Sequence, residues 1–174
     1  YEVQNILWTG VLRDTAEYKE WEKLIKAEGA NIYIARAGQQ IEGGRTLLNI
    51  LYPFESLEGQ EFKDSNNTSI VARLVYGENS FLFTGDAHKA VEKELIEKGV
   101  EIDSDVLKVG HHGSKTSSAE EFIKAVSPEI AVISAGKDNS YGHPHAETLA
   151  ILEKYDINVL RTDLNGDIKF LWNS

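Results

Sequence analysis

Cysteine and methionine are both absent from the 174 residues. Without cysteine there is neither a disulfide nor a thiolate metal site, so any metal would have to be held by His, Asp, Glu or Asn. The same lack is compatible with a protein that works outside the cytoplasm and avoids unpaired thiols. Cations are scarce: 18 Lys and Arg stand against 28 Asp and Glu, a formal charge of −10. That argues against a broad nucleic-acid surface, which needs clustered Lys and Arg. It leaves open a nuclease whose charge neutralisation comes from bound metal ions. There is no apolar run of membrane-spanning length and no signal peptide at the start. With 41% hydrophobic residues, the expectation is a single domain over residues 1–174 with one core.

What is present alternates between β-rich runs and helical stretches. A strand is expected over residues 5–9. A helix follows to about Glu28, opened by a capping box in Asp14-Thr15-Ala16-Glu17 and closed by Gly29. Strands are expected over 32–35 and 45–51, then a polar loop from Pro53 to Asn67. Residues 69–76 and 80–84 read as a hairpin around Gly77-Glu78-Asn79. Helices at about 89–98, 118–126 and 146–155 alternate with strands at 105–109 and 130–134. Ser118 and Glu121 read as a capping box, and Asn165-Gly166 as the turn of a terminal hairpin. Such an order predicts a layered sheet-and-helix domain of the α/β class.

The five histidines lie between positions 88 and 145, and four form two tight pairs. Gly110-His111-His112-Gly113-Ser114 follows the strand at 105–109. Gly142-His143-Pro144-His145 stands between a strand and a helix. Upstream, Thr84-Gly85-Asp86 ends a third strand and leads into a helix. In layered α/β folds, ligands sit outside such strand ends. If the three strands are neighbours, Asp86, His111, His112, His143 and His145 converge on one rim. A carboxylate with several imidazoles suits zinc, manganese or iron, and a metal there would activate water against phosphorus or a carbonyl. Each residue has a plainer reading taken alone. Asp86 could cap the following helix, His88 at a helix start needs no function, and Ser114, Thr116, Ser117 and Ser118 are ordinary turn residues.

The run Asn66-Asn67-Thr68-Ser69, the stretch from Phe81 to Ala87, and Asp105 through Ser117 closely resemble the metallo-β-lactamase-like domain of ComEC-type DNA-internalisation proteins. The likeness continues through Ala131-Val132-Ile133-Ser134, Tyr141-Gly142-His143-Pro144-His145 and Leu160-Arg161-Thr162-Asp163. It is looser before Glu61. The resemblance implies a metallo-β-lactamase-like four-layer αββα sandwich with a metal site at the edge between its sheets. It implies hydrolysis of phosphodiesters or related esters, and in ComEC-type proteins degradation of the non-transported DNA strand outside the membrane. By motif, Asp86 would bridge two metal ions (zinc or manganese), with one of His111 and His112 as a ligand and His112 preferred. His143 and His145 would be the catalytic pair, as metal ligands or in contact with the scissile phosphate and leaving group. Asn67, Ser69 and Ser114 would line the substrate side.

The superfamily's first signature, His-x-His-x-Asp-His, is missing from the whole sequence. The expectation is therefore the C-terminal two-thirds of such a domain, incomplete at its N-terminus and inactive alone. It would be completed by a preceding part of a longer, membrane-embedded or secreted extracytoplasmic protein. Single-stranded DNA or another phosphodiester is the expected partner, and exposed strand edges predict self-association. Two other readings keep the fold: a stand-alone hydrolase of another phosphoester, and a degenerate domain used for binding.

Overall fold

A computed structural model describes residues 1–171. The chain begins with β1 (Asn5–Trp8), α1 (Ala16–Glu28) and β2 (Asn31–Ile34), with the two strands paired in parallel. Thr15 is the N-cap of α1: its hydroxyl accepts the Tyr18 N–H at 3.2 Å, so the expected box over Asp14 and Glu17 is not the device used. Gly29 closes the helix in the left-handed conformation, as its lack of a side chain favours. Trp8 of β1 packs edge-on against Trp21 of α1 with ring centroids 4.5 Å apart. The opposite face, with Leu7 and Tyr33, borders a groove shared with Ile41.

The large sheet comprises β3 (Gln40–Gly43), β4 (Thr46–Tyr52), β5 (Val71–Tyr76), β6 (Asn79–Phe83), β7 (Val106–Lys108), β8 (Ile130–Ile133) and β9 (Asn158–Arg161), side by side in that order. The first four are antiparallel, and from β6 onward every neighbour is parallel. The expected hairpin of β5 and β6 is present, with Tyr76 opposite Asn79. β3 is an addition to the expected strands: its four residues, Gln40-Ile41-Glu42-Gly43, are all exposed and include one large apolar side chain. The crossovers carry α2 (Lys89–Glu97), α3 (Glu120–Val126) and α4 (Ala146–Lys154). Their apolar residues join Leu82, Leu107 and Ala131 from the sheet in one buried cluster that includes Leu95, Phe122, Ile123 and Leu152. At about 25 cal/mol per Å² of buried apolar area, such a cluster is the main term holding the sheet to its helices.

Helix, small sheet, large sheet and helices give the αββα layering, with the smaller sheet reduced to two strands among the described residues. Two expectations change. The N-cap of α3 is Ala119 with no side-chain cap of its own; Glu92 of α2 accepts the Ser118 and Ala119 N–H groups at 2.5 and 2.8 Å. A buried carboxylate from a neighbouring helix thus replaces the box read in Ser118 and Glu121. The Asn165-Gly166 turn does not open a hairpin in the described residues: Thr162–Asn165 forms a single helical turn, α5, and residues 167–171 add no strand. The Asn165 side chain instead bonds back to the Arg161 N–H at 2.9 Å. Residues 172–174 lie outside the described region.

Candidate metal centre

The adjacency of β6, β7 and β8 is what the site needs. Phe83, Lys108 and Val132 are register partners across three parallel strands, so all three chains leave the sheet at one end. The turns beyond them are stitched together by the backbone. His111 N–H donates to the Gly85 carbonyl at 3.0 Å, and His145 N–H donates to the Gly113 carbonyl at 3.0 Å. Two glycines permit this closeness. A Cβ on Gly85 would stand 3.0 Å from Ser69, and one on Gly113 would stand 2.6 Å from the Pro144 Cβ, both at positive φ. His111 and His112 themselves adopt left-handed backbone, φ 48° and 57°. For non-glycine residues that is uncommon, and it aims consecutive side chains out over the rim.

Asp86 and His112 face each other, Oδ1 to Nε2, at 3.7 Å. His112 Nδ1 donates its proton to the Ser134 carbonyl at 2.7 Å. In the neutral ring this leaves the Nε2 lone pair bare and pointed at the carboxylate. Metal-ligating histidines are oriented by such a bond on the far nitrogen. The gap is too long for a hydrogen bond, and it is within reach of two donors sharing one ion at about 2.0–2.2 Å each. Ser134 is itself held, since Thr162 Oγ1 bonds both the N–H and the carbonyl of the next residue, Ala135. Asp86 is positioned by its own N–H, which donates to Ser69 Oγ at 3.0 Å.

The other histidines complete a continuous aromatic rim. His111 lies 5.6 Å from His143, and His143 lies 4.8 Å from His145, centroid to centroid. Burial holds His143 below the ordinary imidazole pKa, reinforced by neighbouring His145, His111 and His112. Burial likewise lowers His111, against the pull of Asp86. Both rings are thus biased to the neutral form. His145 Nδ1 accepts the Lys115 N–H at 3.1 Å, so a neutral ring carries its proton on Nε2, where it is a donor. Ser114 is buried with its hydroxyl on Thr116, which in turn bonds His111 Nδ1. Asn67 accepts the His88 N–H at 3.4 Å and so packs beside Asp86's turn.

His88, left aside on the sequence, stacks on His111 at 5.3 Å. Asn66 donates to its Nε2 and Asp64 accepts from its Nδ1, at 3.0 and 3.1 Å. Both nitrogens are used, so His88 buttresses His111 and offers no lone pair. It is also the N-cap residue of α2, so Asp86 does not cap that helix. Asn139 is a second position the sequence did not mark: its amide bonds both the N–H and the carbonyl of His143. Nothing in its local sequence announces that role.

The donor set fits a divalent cation in type, and the chain supplies it in part. Among the described residues no three of the His, Asp and Glu side chains are gathered tightly enough to hold one ion.

A layered α/β sandwich with a carboxylate and oriented imidazoles at parallel strand ends defines a metallohydrolase-like scaffold. The pattern of the Metallo-beta-lactamase superfamily matches residues 16–137, and the chain belongs to that family. ComE operon protein 3 of Bacillus subtilis is 40% identical over 156 residues, covering 88% of this chain and 20% of that protein. Competence protein ComA of Neisseria gonorrhoeae is 44% identical over 120 residues, 67% of this chain and 17% of its own length. The chain therefore spans a fifth or less of these relatives, and the resemblance to ComEC-type competence proteins holds. CmlA, a diiron β-hydroxylase from Streptomyces venezuelae, superimposes with a TM-score of 0.52 at 12% identity, over 79% of this chain and 34% of that one. That likeness bears on the fold alone.

Proposed function

We propose that this chain is the C-terminal part of a metal-dependent phosphodiesterase site in a ComEC-type DNA-uptake protein. The observation that carries the reading is Asp86 facing Nε2 of His112, whose other nitrogen is fixed by Ser134. In this reading Asp86 and His112 hold the cation, His111 stands as an adjacent neutral imidazole, and further ligands come from a part of the protein outside this sequence. A divalent cation bound there would polarise a phosphoryl oxygen and make water more acidic. His145 donates a hydrogen bond from Nε2–H to the departing oxygen and stabilises its developing charge, while the proton that oxygen finally takes comes from water. His143 stays neutral and orients the phosphate beside it. The Lys115 N–H keeps His145 in the tautomer that can donate. Work on DNA outside the cytoplasm belongs to the same proposal. No helix among the described residues is long and apolar enough to cross a membrane.

The test is hydrolysis of single-stranded DNA and of a chromogenic diester by the gene product carrying this sequence, with manganese or zinc. Asp86→Ala should lower the rate by on the order of 100-fold or more, and His145→Ala by about 100- to 1,000-fold with metal affinity kept. Wild-type protein inert on every diester with either metal would refute the proposal and favour a binding domain.

A further inference from the structure

Beside the rim, the loop between β8 and α4 presents Tyr141 with 77% of its surface exposed. A scattered exposed tyrosine needs no explanation; this one is built in. Asn139 pins the loop from inside: its Nδ2 donates to the carbonyls of Gly136 and His143 at 3.0 and 2.6 Å, and its Oδ1 accepts the His143 N–H at 3.0 Å. The tyrosine ring lies nearly parallel to His143, 5.8 Å and 19° away. His143 in turn lies nearly parallel to His112, 6.3 Å and 21° away. Three flat rings thus step outward from the Asp86–His112 pair. A cleft of about 390 Å³ opens beside them, lined by Tyr141, His143, His112, Ala135, Gly136 and Asn139 and free of formal charge apart from its histidines.

We propose that Tyr141 and this cleft form a nucleobase-stacking subsite, which holds the base next to the phosphodiester placed at His112 and His143. The placement of the phosphate rests on the phosphodiesterase reading above. The chemistry selects a planar heterocycle: a pinned aromatic face stacks any base without reading its edges, and it adds affinity to a chain whose charge of −10 offers DNA little electrostatic attraction. The predicted preference is for single-stranded nucleic acid over abasic phosphodiesters, which carry no base to stack, and over duplex, whose paired bases have no free face to offer.

The experiment is anisotropy with a labelled, hydrolysis-resistant phosphorothioate hexamer of thymidine and a matched abasic hexamer, in manganese buffer. Tyr141→Ala should weaken the thymidine hexamer by roughly 5- to 100-fold and leave the abasic one unmoved. Tyr141→Phe should retain base-dependent binding. Three results would overturn the subsite: no binding of the thymidine hexamer by wild type, no change in Tyr141→Ala, or equal losses on both oligomers. Turnover of a chromogenic diester, followed separately, keeps the two claims apart. Turnover without base-dependent binding sinks the subsite alone, and base-dependent binding without turnover sinks the hydrolase alone.

Discussion

Single side chains in this protein are fixed by what their far atoms bond. His112 shows it at the rim, and Glu92 shows it in the core. Glu92 is 1% exposed, and burial pushes its pKa up to about 7 against two backbone N–H donors that oppose the shift. The folded state therefore holds the proton more tightly than the unfolded chain, whose glutamate titrates near 4.5. Stability from this group is fully present below that unfolded value and is lost as pH rises toward 7, by at most about 3 kcal/mol at 1.36 kcal/mol per pKa unit. Chemical denaturation at pH 4.5 and pH 7.5 should show the decline, and Glu92→Gln should flatten it. A wild-type profile flat over that interval would contradict the assignment. Glu92→Ala should cost about 1–3 kcal/mol at pH 4.5, because the Ser118 and Ala119 N–H groups lose their acceptor, and less at pH 7.5, where the wild type has lost its proton-linked stability.

Elements matter here through where they end. Three parallel strands in register deliver three turns to one edge, and backbone bonds from Gly85 to His111 and from Gly113 to His145 lock the turns together. Gly113→Ala tests the lock. The added methyl would meet Pro144 at 2.6 Å, at a φ of 82° that a side chain resists. A loss of about 1–3 kcal/mol is expected, with the His143–His145 loop displaced and activity reduced more than stability explains; calorimetry and diester assays on one preparation would check it. The strand ends were legible in the sequence because each motif followed an apolar run, and the pairs His111/His112 and His143/His145 were marked by their spacing. Glu92 capping α3, Asn139 pinning His143 and His88 buttressing His111 were not legible, since each depends on contacts between distant elements. Asn165-Gly166 misled for a related reason. The dipeptide suits a hairpin locally, yet Gly166 here ends a helical turn held by Asn165 to Arg161.

At the scale of the molecule, the two sheets are unequal. Among the described residues β1 and β2 form a parallel pair alone, and such a pair is marginal without further strands or a covering surface. Its residues Ile32 and Tyr33 are 43% and 51% exposed, and Ile41 on the facing edge of the large sheet is 46% exposed. The chain alone is accordingly expected to self-associate with rising concentration, and Ile41→Lys should reduce the effect. Sedimentation velocity would show it; a monomer throughout the micromolar range would count against it. The same imbalance accompanies the incomplete ligand set, because two facing donors are fewer than the three or four protein ligands a zinc site uses.

Anomalous diffraction from crystals of the gene product carrying this sequence, grown with zinc or manganese, addresses the centre of the account directly. The expected result is a metal peak between Asp86 Oδ1 and His112 Nε2, within about 2.3 Å of both, with Ser134 still accepting from His112 Nδ1. A metal seated elsewhere, or Asp86 and His112 parted with no ion between them, would contradict it.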